Sequence, residues 1–330
     1  MQADGSATAA VGVRMQPKLT DNPEECMFCL RIIRMLRGAL SGISRGIAEG
    51  LRYLWQMCTW RPGAVVPITP AGRFGHCHAL VCRDNAGRYA YILATLREPG
   101  LEPEQIPVPG EPWPNLLLRL GPTGDCMLFV AHYDKSRETP TYQGASDNSA
   151  AVSVLLTVAH DLAAHPPRRP VALLFSAAEE RGCLGAHAFL AWAQRQDMIL
   201  SEVINLDMLG RDRLAIRPDA VPGFAFRLPW LDRLVYDGQR LRRGSAYPHP
   251  DQALVRRLQQ LAGRKLLVYR HFTARSDSGV FQAAGLPTVC ISSSNIYYLG
   301  LVWEQDSDRV ELLDARNLEL AHWFILAVIV

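Results

Sequence analysis

The hydrophobic pattern of the chain starts only after an unpatterned N-terminal stretch. Residues 1–25 are rich in Ala, Gly, Ser, Thr and Pro, a composition that predicts a disordered tail. From Ile33 to Leu54, apolar residues recur at steps of three and four, and several arginines fall off this stripe. We therefore expect residues 26–58 to form a basic amphipathic helix.

Two interpretations of this helix stay open. The part at 30–54 could pack against the main domain or a partner helix, or it could lie peripherally on an anionic membrane surface. No run of about eighteen uncharged apolar residues occurs, so the sequence predicts no membrane-spanning helix. The N-terminus lacks the pattern of a standard secretion signal, and the scattered cysteines favour a reducing compartment such as the cytoplasm.

From residue 67 to residue 330, apolar runs alternate with helical patterns. Strand-like runs lie at 116–120, 127–131, 171–176, 203–206, 266–269 and 288–292. Helical patterns cover 149–164, 184–196, 252–261 and 277–284, and the apolar ending at 324–330 predicts a last helix packed on the core. This alternation predicts a single three-layer α/β domain, in which helices flank a mostly parallel central sheet.

Residues 211–250 interrupt this pattern. They show no clear period and are rich in arginine, so we expect a long loop near the substrate side that affects substrate preference. Ordinary surface charge is the alternative explanation of these arginines. The composition, with 48% hydrophobic residues and a net charge of +3, is ordinary for a globular protein and gives no reason to expect nucleic-acid binding.

Acidic and imidazole side chains follow the predicted strands at the points where these end. His132 and Asp134 come after the run at 127–131, Glu179 and Glu180 after 171–176, and Asp207 after 203–206. Asp147 precedes the helical pattern at 149–164. The carboxyl ends of parallel strands border one crevice, so we expect these side chains to converge. Each residue alone is common on protein surfaces, but together they predict a cation site.

These residues lie in segments that resemble a known enzyme family. His132-Tyr-Asp134, Gly144-Ala-Ser-Asp147-Asn148, Glu179-Glu180 and Asn205-Leu-Asp207-Met-Leu-Gly210 resemble zinc aminopeptidases typified by bacterial leucyl aminopeptidase and aminopeptidase S. Glutaminyl cyclases share that fold, and both groups belong to the clan MH metallopeptidases. The resemblance runs from about residue 72 to residue 314 and includes Ser276-Asp277.

The resemblance implies a metal-dependent exopeptidase that removes N-terminal residues from peptides through a metal-bound water. It implies one or two divalent ions, zinc in the first place, with Asp147 bridging two of them. The implied metal ligands are His132, Asp147, Glu180 and Asp207. Glu179 would be the general base, and Asp134 would accept the other imidazole N–H of His132 and fix its tautomer.

The sequence departs from the family pattern at the last ligand, where the family has a histidine and this chain has Glu304. Glutamate binds zinc, manganese or magnesium, so we expect Glu304 to be a ligand and keep all three metals open. Trp303 before this position suggests an alternative function, that of a glutaminyl cyclase-type acyltransferase. A non-catalytic binding module with a degenerate metal site is a second alternative.

Overall fold

The computed structural model of the chain describes residues 65–217, 251–268 and 276–330, together with Leu51. The predicted tail at 1–25 lies outside the described residues, and so does the predicted helix at 26–58 except for Leu51. Most of the arginine-rich segment at 211–250 lies outside them as well. The structure therefore does not test the two interpretations of the N-terminal helix.

The described residues form alternating strands and helices. The strands are β1 (Glu104–Ile106), β2 (Asn115–Leu120), β3 (Cys126–His132), β4 (Val171–Ser176), β5 (Leu200–Leu206), β6 (Leu214–Arg217), β7 (Leu266–Val268) and β8 (Thr288–Ser293). The helices are α1 (His76–Val81), α2 (Asn85–Arg97), α3 (Ala150–Ala164), α4 (Leu184–Arg195), α5 (Gln252–Ala262), α6 (Asp277–Ala283), α7 (Ile296–Val302) and α8 (Ala315–Ile329).

The strands of this part of the chain form one sheet in the order β1-β2-β4-β3-β5-β8-β6-β7. Its centre, β4-β3-β5-β8, is parallel throughout. β2 and β6 pair antiparallel with this centre on either side, β1 pairs antiparallel with β2, and β7 runs parallel to β6. The predicted class, an α/β fold with a mostly parallel central sheet, is confirmed.

Alternating side chains of β3 divide the core into two layers. Met127 and Phe129 belong to a buried cluster that also contains apolar residues of α3 and α8. Leu128 and Val130 face the opposite side, in a cluster with Phe189 of α4 and other residues of that helix. Since successive side chains of a strand point to opposite faces, helices on both sides bury every residue of β3.

The observed elements correct one expectation. The predicted loop at 211–250 is wrong at residues 214–217, which form β6 with all four residues buried between β7 and β8. A run of four residues is too short to establish a hydrophobic period, which is why the pattern missed it. The predicted last helix starts earlier than its apolar ending, at Ala315. None of the described helices is both long enough and apolar enough to cross a membrane.

Candidate metal centre

The predicted site residues His132, Glu179, Glu180 and Asp207 lie at or just after the ends of three neighbouring strands, which border one cleft. His132 is the last residue of β3, Glu179 and Glu180 lie in the loop after β4, and Asp207 directly follows β5. Since β4, β3 and β5 are adjacent and parallel, their carboxyl ends meet at one edge of the sheet. The cleft at this edge is lined by Asp147, Glu179, Glu180, Gly182, Cys183, Asp207, Met208, Trp303 and Glu304.

His132 lies at the centre of the carboxylates and is only 2% exposed. Its Nε2 lies 3.1 Å from Oδ1 of Asp147 and 3.8 Å from Oδ1 of Asp207. One potential ligand atom from each of these three residues lies within 4.8 Å of the other two. A cation could therefore be held by one imidazole nitrogen and two carboxylate oxygens.

Asp147 is positioned by the turn that leads from Gly144 into α3. Gly144 has φ +57°, and a Cβ at this position would lie 2.7 Å from the carbonyl oxygen of Asp147. The backbone N–H groups of Ser146 and Asp147 donate to the carboxylate of Asp308, at 2.7 and 3.0 Å. Asp308, which is fully buried, thus fixes the backbone that carries Asp147.

Glu179 and Glu180 are held by Asp134. Their backbone N–H groups donate to the two carboxylate oxygens of Asp134, at 3.1 and 3.2 Å. Oδ1 of Asp134 also lies 3.4 Å from Nδ1 of His132. A second close group of potential ligand atoms, within 4.8 Å of one another, comes from His132, Glu179 and Glu180.

The cluster carries more negative charge than its surroundings balance. Burial and, after it, the charge of the neighbouring Asp147 together raise the pKa of Glu180 to about 9. Burial also raises the pKa of Asp147 and places that of Glu179 well above its usual value. Burial opposes protonation of His132, but the carboxylates of Asp134, Asp147 and Asp207 outweigh it and raise the His132 pKa well above its usual value.

These properties fit a divalent cation. Oε1 of Glu180 is buried and has no hydrogen-bond partner among the described residues. A buried oxygen without a hydrogen-bond partner costs free energy. The raised pKa values of these carboxyl groups show that the protein supplies too little positive charge to compensate their ionised forms, and a cation would supply it. A donor set of one imidazole and several carboxylates suits zinc and also the harder manganese and magnesium ions. His132, Asp147, Glu180 and Asp207 would hold the metal.

Glu304 lies in the same cleft but farther from the close groups. Its side chain is exposed and its φ is +50°. Its carbonyl oxygen accepts a hydrogen bond of 2.7 Å from Arg137. Among the described residues, the groups of ligand atoms within 4.8 Å of one another do not include Glu304. Its role as a ligand stays a prediction.

Arg88 is a site residue that the sequence pattern does not predict. It is fully buried in α2, and its guanidinium donates to the carbonyl oxygen of Tyr133 (3.1 Å), the carbonyl oxygen of Gly144 (3.2 Å) and Oγ of Ser149 (2.7 Å). It therefore joins the residue after His132 to the turn that carries Asp147. Nothing in the helical pattern around Arg88 distinguishes it from a solvent-exposed arginine.

Curated relatives match the chain over parts of their length. A protein of Leptosphaeria maculans described as a probable zinc metalloprotease is 25% identical over 185 residues, covering 51% of this chain and 43% of the relative. Aminopeptidase YwaD of Bacillus subtilis is 34% identical over 87 residues, covering 26% of this chain and 18% of the relative. The matches thus cover less than half of each of these relatives.

The chain is also similar to a solved structure and matches a known protein family. The crystal structure of LapB from Legionella pneumophila superimposes with a TM-score of 0.61 at 17% identity, covering 80% of this chain and 73% of LapB. This likeness establishes the fold. Residues 115–329, which include the candidate metal ligands described above, match peptidase family M28. The resemblance predicted from the motifs is thereby confirmed, and the chain belongs to peptidase family M28.

Proposed function

We propose that this protein is a metal-dependent exopeptidase that removes N-terminal residues from peptides. The observation that carries the proposal is the convergence of His132, Asp147 and Asp207 with the adjacent Glu179 and Glu180 in one cleft of an M28 chain. The proposal is supported by relatives whose names describe a zinc metalloprotease and an aminopeptidase. Zinc is the first metal to test for the same reason.

The residues of the cleft would divide the work of hydrolysis. His132, Asp147, Glu180 and Asp207 would hold one or two divalent ions, which when bound polarise the peptide carbonyl and make water a better nucleophile. Glu179 would accept a proton from the attacking water on its carboxylate and deliver it to the leaving amine. Asp134 would keep both Glu179 and His132 in place through the contacts described above.

The location of Glu179 suits proton transfer. It lines the cleft, so substrate can reach it, and its burial places its pKa well above the usual value. A base with a raised pKa holds the transferred proton more firmly until the amine receives it. The free N-terminus of a peptide is a cation, which the remaining negative charge of the cleft would attract.

The experiment is an assay of purified full-length protein on aminoacyl anilides and short peptides, before and after removal of metal with a chelator. We expect release of the N-terminal residue, loss of activity in the metal-free protein, and recovery on addition of stoichiometric zinc. Acetylation of the peptide N-terminus should abolish turnover if the enzyme is an exopeptidase acting on free amines.

A peptide with N-terminal glutamine separates the main alternative from the proposal. Cyclisation of this peptide without hydrolysis of any anilide would identify a glutaminyl cyclase-type acyltransferase and refute the proposed exopeptidase. Metal binding without turnover of either substrate would identify a non-catalytic module.

A further inference from the structure

A third group of potential ligand atoms contains Glu179 but not His132. It consists of Glu179, Cys183 and Asp277, each of which offers one atom within 4.8 Å of the other two. Cys183 and Asp277 belong to neither of the groups that contain His132. The proposed peptidase mechanism uses Glu179 but gives no task to the thiol or to this second carboxylate.

The loop after β4 brings the thiol back to Glu179. The backbone N–H groups of Gly182 and Cys183 donate to the carbonyl oxygen of Glu179, at 2.9 and 2.7 Å. Cys183 has φ +60°, and this turn places its Sγ 3.6 Å from Oε1 of Glu179. Cys183 also lines the cleft, so an ion in solution has a route to it.

Asp277 contributes a carboxylate that the surrounding protein satisfies only in part. It is the first residue of α6 and is 1% exposed. Ser176 donates to its Oδ2, whereas Oδ1 is buried without a hydrogen-bond partner in the described part of the chain. Burial, together with the nearby carboxylates, raises the pKa of Asp277 to about 7. An oxygen left in this condition is suited to bind a cation.

The distance between the thiol of Cys183 and the carboxylate of Glu179 is close to that between two ligands of one zinc ion. In tetrahedral coordination, with Zn–S of about 2.3 Å and Zn–O of about 2.0 Å, a sulfur and an oxygen ligand lie about 3.5 Å apart. The 3.6 Å between Sγ of Cys183 and Oε1 of Glu179 needs almost no adjustment. A thiolate and two carboxylates form an acceptable donor set for zinc and a favourable one for the more thiophilic cadmium.

We propose that Glu179, Cys183 and Asp277 form an inhibitory binding site for Zn²⁺ or Cd²⁺ next to the metal centre built on His132, Asp147, Glu180 and Asp207. Binding converts the thiol of Cys183 to a thiolate, and its proton is released to the buffer. The bound ion occupies the carboxylate of Glu179, which then no longer accepts a proton from water. Zinc therefore activates the enzyme at low concentration and inhibits it in excess.

The first test measures activity during a zinc titration of metal-free protein, and it rests on the proposed peptidase function. We expect activity to rise, pass through a maximum and fall. Cys183→Ser should raise the zinc concentration that gives half-inhibition by at least tenfold. Cys183→Gly is a second variant, because glycine adopts a positive φ without strain. Inhibition of both variants at the wild-type zinc concentration would refute the proposal.

The matched control is Cys126→Ser, which removes another buried thiol at the start of β3, at the opposite end of that strand from His132. It should keep the wild-type inhibition by zinc. Thermal unfolding of all variants verifies that they are folded before activity is compared.

The second test does not depend on activity. Cadmium is added to zinc-loaded protein, and the ultraviolet charge-transfer band of a cadmium–thiolate bond is recorded. The groups around His132 contain no cysteine, so ions bound there give no such band. The difference spectrum between wild type and Cys183→Ser isolates this thiol, and Asp277→Asn should weaken cadmium binding by about tenfold.

The two tests distinguish failure of the proposed metal site from failure of the proposed peptidase function. A cadmium band that depends on Cys183, in a protein that hydrolyses no peptide, would support the metal site and refute the proposed peptidase. A band that persists in Cys183→Ser and Cys183→Gly would refute the metal site, whatever the peptidase assay shows.

Discussion

At the scale of single residues, the adjacent glutamates after β4 differ in their neighbours. Glu179 lies beside Cys183 and Asp277, whereas Asp147 is the charge that most affects Glu180. Both backbones are held by the same carboxylate, that of Asp134. A difference in function between the pair must therefore come from the side-chain environments, which substitutions can probe one at a time.

We expect Glu179→Gln to lower turnover by about two to four orders of magnitude while metal content stays near that of the wild type, because its proposed task is proton transfer. Glu180→Gln should lower metal occupancy, since the amide is a poorer ligand. Metal analysis after dialysis and steady-state kinetics check both expectations. Glu98→Gln, at an exposed position, is the matched control. Equal loss of metal in the first two variants would contradict the assignment of base and ligand.

Glu304 gives a second prediction at this scale. If Glu304 is a ligand, His132 is the sole imidazole among five ligands. Such a site prefers manganese or magnesium more than a site with more imidazole ligands does. Glu304→His should therefore shift the metal that gives the highest rate toward zinc, and Glu304→Ala should lower the number of ions bound. Activity with each metal and the binding stoichiometry are the measurements. If Glu304→Ala keeps the wild-type stoichiometry and rate, Glu304 is not a ligand.

At the scale of elements, helix α2 connects two parts of the site through the guanidinium of Arg88. The contacts reach the carbonyl oxygens of Tyr133 and Gly144 and the hydroxyl of Ser149. Burial lowers the pKa of Arg88 to about 10, even though the nearby Tyr142, Asp134 and Asp308 act to raise it. Arg88 is therefore charged at neutral pH and supplies positive charge beside the acidic cluster.

We predict that Arg88→Met lowers the free energy of unfolding by about 3 kcal/mol or more, because several buried carbonyl oxygens lose a charged donor. Zinc affinity should fall as well, since the turn carrying Asp147 loses its support. Arg97→Met removes an exposed arginine from the same helix and should change neither quantity appreciably. Denaturant unfolding and zinc titration provide the comparison. Wild-type zinc affinity in a folded Arg88→Met protein would show that the guanidinium does not position the site.

The sequence predicts the elements with long apolar patterns and misses the short or polar ones. β4 is apolar from Val171 to Phe175, and its predicted and observed bounds coincide at 171–176. β1 has three residues and β6 four, too few to show a period. Helix α2 contains Gly87 and several polar residues, so its sequence shows no clear apolar stripe. Its buried side is identified only by its packing on the core.

The same limit applies to the site. Residues that directly follow predicted strands, such as His132 and Asp207, could be proposed as parts of one site because the carboxyl ends of parallel strands lie at one edge of the sheet. The approach of Asp277 to Glu179 and the hydrogen bonds from the turn before α3 to Asp308 depend on which strands are neighbours in the sheet. Hydrophobic periodicity along the chain does not contain that order, so these contacts required the structure.

At the scale of the whole molecule, the sheet concentrates ionisable groups at one end of an apolar core. Burial raises the pKa of Asp308 and of Asp277 to about 7, and that of Glu180 to about 9. A carboxyl group with a raised pKa in the folded state stabilises the fold while it is protonated. That contribution is complete below the usual pKa near 4 and is lost as the pH rises through the folded-state value.

Metal-free protein should therefore unfold at a lower temperature at pH 8 than at pH 5, since each pKa unit of displacement is worth about 1.4 kcal/mol. Asp308→Asn should reduce this difference because the amide does not ionise, whereas Asp125→Asn, at an exposed position, should leave it unchanged. Burial lowers the pKa values of His76 and His322, which acts in the opposite direction as the pH rises toward 6.5, so the comparison between the two variants is more informative than the wild-type slope alone. Bound zinc replaces protons as the compensating charge, and its stabilisation should consequently be larger at pH 8 than at pH 5. Thermal unfolding at both pH values, with and without zinc, measures all of these quantities. A metal-free unfolding temperature that depends on pH identically in both variants would show that Asp308 is not among the groups that retain protons.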